Sequence, residues 1–168
     1  MNGLLGLAVL GLMSAGAAPD AGVKKPYPYI STAKVVGYGF NLRKKGRPEC
    51  TMPVNPDGTL CKSVEGPGKT LSPAQVLELN KLMSAKNTFG GDVSKCFIPH
   101  HAFVYYDASG KVVGQLSICF MCDRLRGAPK VKAKPRKGYK TGLSKKRLKG
   151  LRKLCVDVGL PACHKGSR

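Results

Sequence analysis

Seven cysteines, at positions 50, 61, 96, 119, 122, 155 and 163, constrain this 168-residue chain more than any other feature. They can staple a fold, hold a metal or carry thiol chemistry, and the compartment decides among these. The first 18 residues bear on the compartment. They carry no charged side chain, and Leu4-Leu5-Gly6-Leu7-Ala8-Val9-Leu10-Gly11-Leu12-Met13 matches a signal-peptide apolar region of about 7–15 residues. Ala15-Gly16-Ala17 then supplies the small residues of a cleavage site. The run is too short for a membrane span, which needs roughly 20 apolar residues. We therefore expect residues 1–18 to be a cleavable signal peptide. Residues 19–168 would be a single secreted or periplasmic cysteine-containing domain, without a transmembrane segment after cleavage. Disulfides are the default there, and an odd count leaves at least one cysteine free, metal-bound or paired with another chain.

Periodicity then supplies the elements. Residues 19–33 read as an extended lead-in around Pro26-Tyr27-Pro28. Val36, Tyr38, Phe40 and Leu42 alternate as in a half-buried strand, with Gly37 and Gly39 on the other face, where another backbone can approach. Residues 43–70 are rich in Pro, Gly, Asn and Asp and read as irregular. Cys50 and Cys61 bracket a loop there and either bridge it or pair elsewhere. Ser72-Pro73-Ala74-Gln75 combines a cap, a proline at the first helical position and a capping box. Val76, Leu79 and Met83 continue that helix toward Lys86 and Asn87. Strand-like runs at 97–106 and 111–120 flank Asp107-Ala108-Ser109-Gly110, a hairpin signal. Val112, Gly114, Leu116, Ile118 and Phe120 would share one face. Ser144 caps a second helix, lined by Leu148, Leu151, Cys155 and Val158 and stopped by Gly159 and Pro161. Cys155 faces the core with Cys163 just past the helix, so either the two bridge or Cys155 stays reduced and buried. The pattern predicts an α+β fold: a small antiparallel sheet with a central β-hairpin packed against two helices, stabilised by two or three disulfides.

The chemistry concentrates in Cys96-Phe97-Ile98-Pro99-His100-His101 and Cys119-Phe120-Met121-Cys122. Pairing Tyr106 with Lys111 sets His100 opposite Ser117 and Cys96 opposite Met121. Cys96, His100 and Cys119 then share one face, and His101 joins Phe103 and Tyr105 on the other. A bulge or one-residue slip would exchange the faces. Three chemistries fit. Cys96 could bridge Cys119 or Cys122, which export favours. Cys96, His100, Cys119 and Cys122 could form a Cys3His zinc site. The CxxC could act as a redox pair, with His100 or basic neighbours activating a thiol. Asp123 stands where c-type haem attachment requires histidine. A histidine nuclease is disfavoured, because adjacent strand histidines point apart and leave at most one to join His164.

The combined pattern, Cys96-Phe-Ile-Pro-His-His-Ala-Phe-Val-Tyr-Tyr106, Gly110 and Ser117-Ile-Cys-Phe-Met-Cys122, resembles that of small exported bacterial proteins of uncharacterised function. The resemblance implies that the cysteine-rich hairpin is their shared core. It implies no activity.

Charge points to the partner. The chain has 29 Lys and Arg against 9 Asp and Glu, a formal net charge of +20. Residues 124–153 hold fourteen of these cations and no carboxylate. The segment reads as a loop through Gly142 and then a basic helix. Its candidate anion contacts are Lys130, Lys132, Lys134, Arg136, Lys137, Lys145, Lys146, Arg147 and Lys149. Tyr139 is the one interleaved aromatic, which argues against stacking on single-stranded bases. An anionic polymer or envelope surface therefore fits better than nucleic acid. The leading function is non-enzymatic binding of such a partner, with no cofactor. The alternative is a zinc-binding or thiol-dependent protein using Cys96, His100, Cys119 and Cys122.

Overall fold

Turn chemistry builds the centre of the molecule. In a computed structural model of the chain, β4 (His101–Tyr106) and β5 (Val112–Cys119) form an antiparallel hairpin around Asp107-Ala108-Ser109-Gly110. Asp107 Oδ1 accepts the backbone N–H groups of Ser109 and Lys111, and Gly110 takes a φ of 83°, which glycine adopts without a Cβ clash. The bond from Ser109 to this carboxylate holds it below its usual pKa. The structure describes residues 26–42, 49–84, 88–92, 96–132 and 141–164. The expected signal peptide, Lys134, Arg136, Lys137, Lys86 and Asn87 lie outside the described residues.

Strands add on both sides of the hairpin. β1 (Lys34–Phe40) pairs with β4, β2 (Val64–Thr70) with β1, and β6 (Arg124–Ala128) with β5. The result is a five-stranded antiparallel sheet in the order β2-β1-β4-β5-β6. A second sheet joins β3 (Phe89–Gly91) to β7 (Gly142–Leu143). The fold is α+β, as the sequence predicts.

The expected hairpin register is corrected by two residues. His101 pairs with Ile118 and Phe103 with Leu116, and an irregularity at Tyr105 and Tyr106 absorbs the change. Because side chains alternate with period two, an even shift preserves the faces. His101, Phe103 and Tyr105 thus stay together. Beyond the irregularity the faces do exchange, and Val112 packs with Val36 and Tyr38 instead of joining Leu116.

Both helices cover one sheet face. α1 (Pro73–Ser84) starts with a reciprocal capping box: the Ser72 N–H donates to Gln75 Oε1, and the Gln75 N–H donates to Ser72 Oγ. α2 (Lys145–Val158) is capped by Ser144 and stopped at Gly159, whose φ is 75°. Leu79, Leu82 and Met83 of α1 meet Leu148, Leu151 and Leu154 of α2 over Phe103, Leu116 and Ile118. The lead-in also joins this core, because Tyr27 is buried edge-on against Tyr105 and donates its hydroxyl to the Gln115 carbonyl. The loop at 50–61 lies over the other face. Val54 packs with Val36, Tyr38 and Val104, and its N–H donates to Gln115 Oε1.

β2 and β6 correct the reading of 43–70 and 124–142 as irregular throughout. Both are edge strands, so each needs only one row of backbone bonds and a weak sequence pattern suffices. β2 accommodates Gly66-Pro67-Gly68 because proline is tolerated at a sheet edge. Gly37 and Gly39 do admit a close neighbour, but it is a side chain and not a backbone. A Cβ on Gly39 would stand 2.8 Å from Pro161 Cγ, and one on Gly37 would stand 3.1 Å from Leu160 Cδ1. Bridges join Cys50 to Cys61, Cys119 to Cys122 and Cys155 to Cys163, leaving Cys96 free.

Candidate functional site

The end of the hairpin opposite its turn collects the sulfur chemistry. β5 ends at Cys119, and the chain turns through Asp123, with φ 51°, into β6. This turn brings Cys122 back to bridge Cys119, and the Cys122 N–H also donates to Cys119 Sγ at 3.2 Å. Cys96 approaches ahead of β4 and sets its Sγ 2.8 Å from Cys122 Sγ. Phe97, Cys119 and Cys122 form a small buried cluster apart from the main core. The expected bridge from Cys96 to Cys119 or Cys122 is thus replaced by one within the CxxC. The tight turn makes these two cysteines close sequence neighbours in space, while Cys96 arrives from a separate segment.

Three of the expected zinc ligands, Cys96, Cys119 and Cys122, meet at this end of the hairpin, two of them bridged, and a different group has the metal-ligand spacing. Among the described residues, His101, Cys155 and Cys163 place their ligand atoms within 4.8 Å of one another and could hold a metal ion. The bridge between Cys155 and Cys163 engages both sulfurs of that group. His100 keeps a buried Nδ1 without a hydrogen-bond partner.

His101 sits between the sheet and the segment after α2. Its ring lies 4.8 Å from the Phe120 ring, and Nε2 is 2.6 Å from the Pro161 carbonyl. A carbonyl only accepts, so Nε2 carries the hydrogen and Nδ1 is bare. Burial depresses the His101 pKa to about 4, the Pro161 carbonyl partly offsets this, and His100 adds a small lowering. The imidazole is therefore neutral at pH 7.

A basic groove lies along the outer edge strand. Arg124, Arg126 and Lys130 line a cavity of about 690 Å³ together with Phe89, Leu125 and Val131, and no carboxylate is among the described residues that line it. The Arg126 guanidinium stacks 4.4 Å from the Phe97 ring centroid, and that of Arg124 lies at 5.6 Å. By contrast, the 410 Å³ cavity beside Asn41 sets Glu49 and Glu65 against Lys62. Of the expected anion contacts, Lys130 lines the groove and Lys132 stands beside it, stacked 4.5 Å over Tyr29. Lys145, Lys146 and Lys149 are exposed on α2, whereas Arg147 is half-buried. Arg124 and Arg126 were not among the expected contacts. Their signal was the alternation Arg124-Leu125-Arg126, which on a strand puts both guanidinium groups on one face.

No protein-family model, curated protein or solved structure matches the chain. Fold and site define a disulfide-bridged α+β protein with a basic edge groove and a three-sulfur cluster.

Proposed function

We propose that this chain is an exported, non-enzymatic binding protein that engages an anionic partner or envelope surface. The groove carries this reading: Arg124, Arg126 and Lys130 line one cavity, and no carboxylate is among the described residues that line it. Its aromatic and aliphatic walls suit an anion with an apolar portion, because dry walls strengthen the attraction between opposite charges. The exposed lysines of α2 extend the positive field that draws such a partner in. Export is supported by the three bridges, which persist in oxidising compartments. No helix among the described residues is long and apolar enough to cross a membrane. Membership among the small exported bacterial proteins with the Cys-x-x-Pro-His-His hairpin belongs to the same proposal.

Heparin chromatography tests the groove. Exposed charge contacts contribute about 0.5 kcal/mol each, so R124Q/R126Q/K130Q should weaken heparin binding about tenfold and elute at lower salt. K62Q/K69Q, away from the groove, should elute like the parent. Equal retention of the triple variant and the parent would sink the reading.

A second reading, zinc binding, is favoured by the convergence of His101, Cys155 and Cys163. It requires the bridge to be reduced, since thiolates are the ligands. Reduced protein dialysed against zinc should retain one equivalent, and H101Q should lose it. Retention by H101Q would end this reading.

A further inference from the structure

Three sulfurs meet at one end of the hairpin, and they differ in their access to solvent. Cys119 and Cys122 are each 1% exposed, whereas Cys96 is exposed. We propose that they form a thiol–disulfide exchange site, in which Cys96 carries a disulfide between the buried pair and an external small thiol.

Contact is the first requirement of exchange, because a thiolate must reach a disulfide sulfur. The Cys96 and Cys122 sulfurs stand 2.8 Å apart. The second requirement is a supported leaving group. The Cys122 N–H points at Cys119 Sγ from 3.2 Å, so a donor already faces the sulfur that departs. Hydrogen bonds to ionised acceptors are about twice as strong as neutral ones, so this bond strengthens as the charge develops. The third is a route to solvent, which Cys96 supplies and the buried pair lacks. A purely structural CxxC bridge requires no third thiol in contact with it.

The steps balance without an added oxidant. Cys96 loses its proton, and its lone pair forms the Cys96–Cys122 bond. The Cys119–Cys122 bond pair leaves on Cys119 Sγ, which takes up a proton. An external thiolate then attacks Cys96 Sγ, forming a mixed disulfide, and the Cys96–Cys122 bond pair leaves on Cys122. A second external thiol attacks the partner's sulfur, and Cys96 departs as the thiolate. Two external thiols become one disulfide, and the Cys119–Cys122 bridge becomes two thiols. An external disulfide runs the same steps backwards.

The surroundings select the thiol. Arg124 Nη1 donates to the Cys96 carbonyl at 3.4 Å, and the Arg124 and Arg126 guanidinium groups flank Phe97. A thiol bearing carboxylates is therefore favoured, a clause that rests on the anion-binding reading above.

The full oxidised chain, incubated with glutathione, acid-quenched and mapped by mass spectrometry, tests the proposal. Glutathione should appear on Cys96, and both the Cys119–Cys122 and Cys96–Cys122 linkages should be found. Cys96→Ser should slow opening of the Cys119–Cys122 bridge by about tenfold or more, with Cys50–Cys61 and Cys155–Cys163 intact as a control for folding. Cys119→Ser should carry the Cys96–Cys122 linkage. Opening at the parent rate in Cys96→Ser, or no Cys96–Cys122 linkage in Cys119→Ser, overturns the exchange site. Cysteamine, a cationic thiol, separates the two claims. Equal rates with cysteamine and glutathione would overturn the preference for anions and leave the exchange standing.

Discussion

Replacing Cys155 and Cys163 together by alanine should lower the unfolding free energy by about 2–3 kcal/mol, the loop-entropy contribution of a short closed loop. The bridge spans a sequence separation of 8 and joins the last turn of α2 to the segment beyond it. Both cysteines are buried, so alanine avoids burying an unpaired hydroxyl as serine would. More than entropy depends on this clasp. It holds Leu160 and Pro161 over Gly37 and Gly39, and it holds the Pro161 carbonyl against His101. With a urea dependence of about 2 kcal/mol per molar, the midpoint should fall by about 1 M. An unchanged midpoint would mean that the segment after α2 stays docked by packing alone.

The clasp also shows how far residue patterns reached into this fold. Gly159 and Pro161 marked the end of α2, and a cysteine facing the core with another just past the stop suggested the bridge. The hairpin turn was legible because Asp107 and Gly110 each supply a local requirement of the turn. The helix starts were legible for the same reason, since a cap involves side chains only three residues apart. Edge strands are different. β2 and β6 are held by partners far away in sequence, so neither the Gly66-Pro67-Gly68 run nor the Arg124-Leu125-Arg126 run announces a strand alone. The two-residue hairpin shift was hidden likewise, because the irregularity at Tyr105 depends on how β1 and β5 fit β4.

The candidate site was legible in its ingredients more than in its pairing. Cys96, Cys119 and Cys122 do meet. Which two of them bridge depends on the turn through Asp123, and the sequence does not encode that turn in any single residue. His101 was assigned to the apolar face correctly. Its convergence with Cys155 and Cys163 was out of reach, because it requires α2 to pack across the sheet before its tail folds back.

Acid should destabilise the protein through His101 well before Asp57 and Asp107 contribute. Burial holds its folded-state pKa at about 4, against about 6.5 in an unfolded chain. As pH falls below about 6.5, the unfolded state takes up a proton that the folded state refuses, so stability is lost. The loss ends near pH 4, where both states are protonated. Each pKa unit of displacement corresponds to about 1.4 kcal/mol, so the whole excursion is about 3 kcal/mol. Asp57 and Asp107 also destabilise on acidification, because hydrogen bonds lower their pKa values from 3.8, but their window lies below that of His101. Urea unfolding at pH 7, 5.5 and 4 should therefore show a fall in the parent that H101Q largely lacks. Glutamine can still donate to the Pro161 carbonyl and does not titrate. Parallel curves for the two proteins would remove His101 as the cause. In the background lacking the Cys155–Cys163 bridge the fall should shrink, because burial displaces the pKa and the clasp maintains that burial.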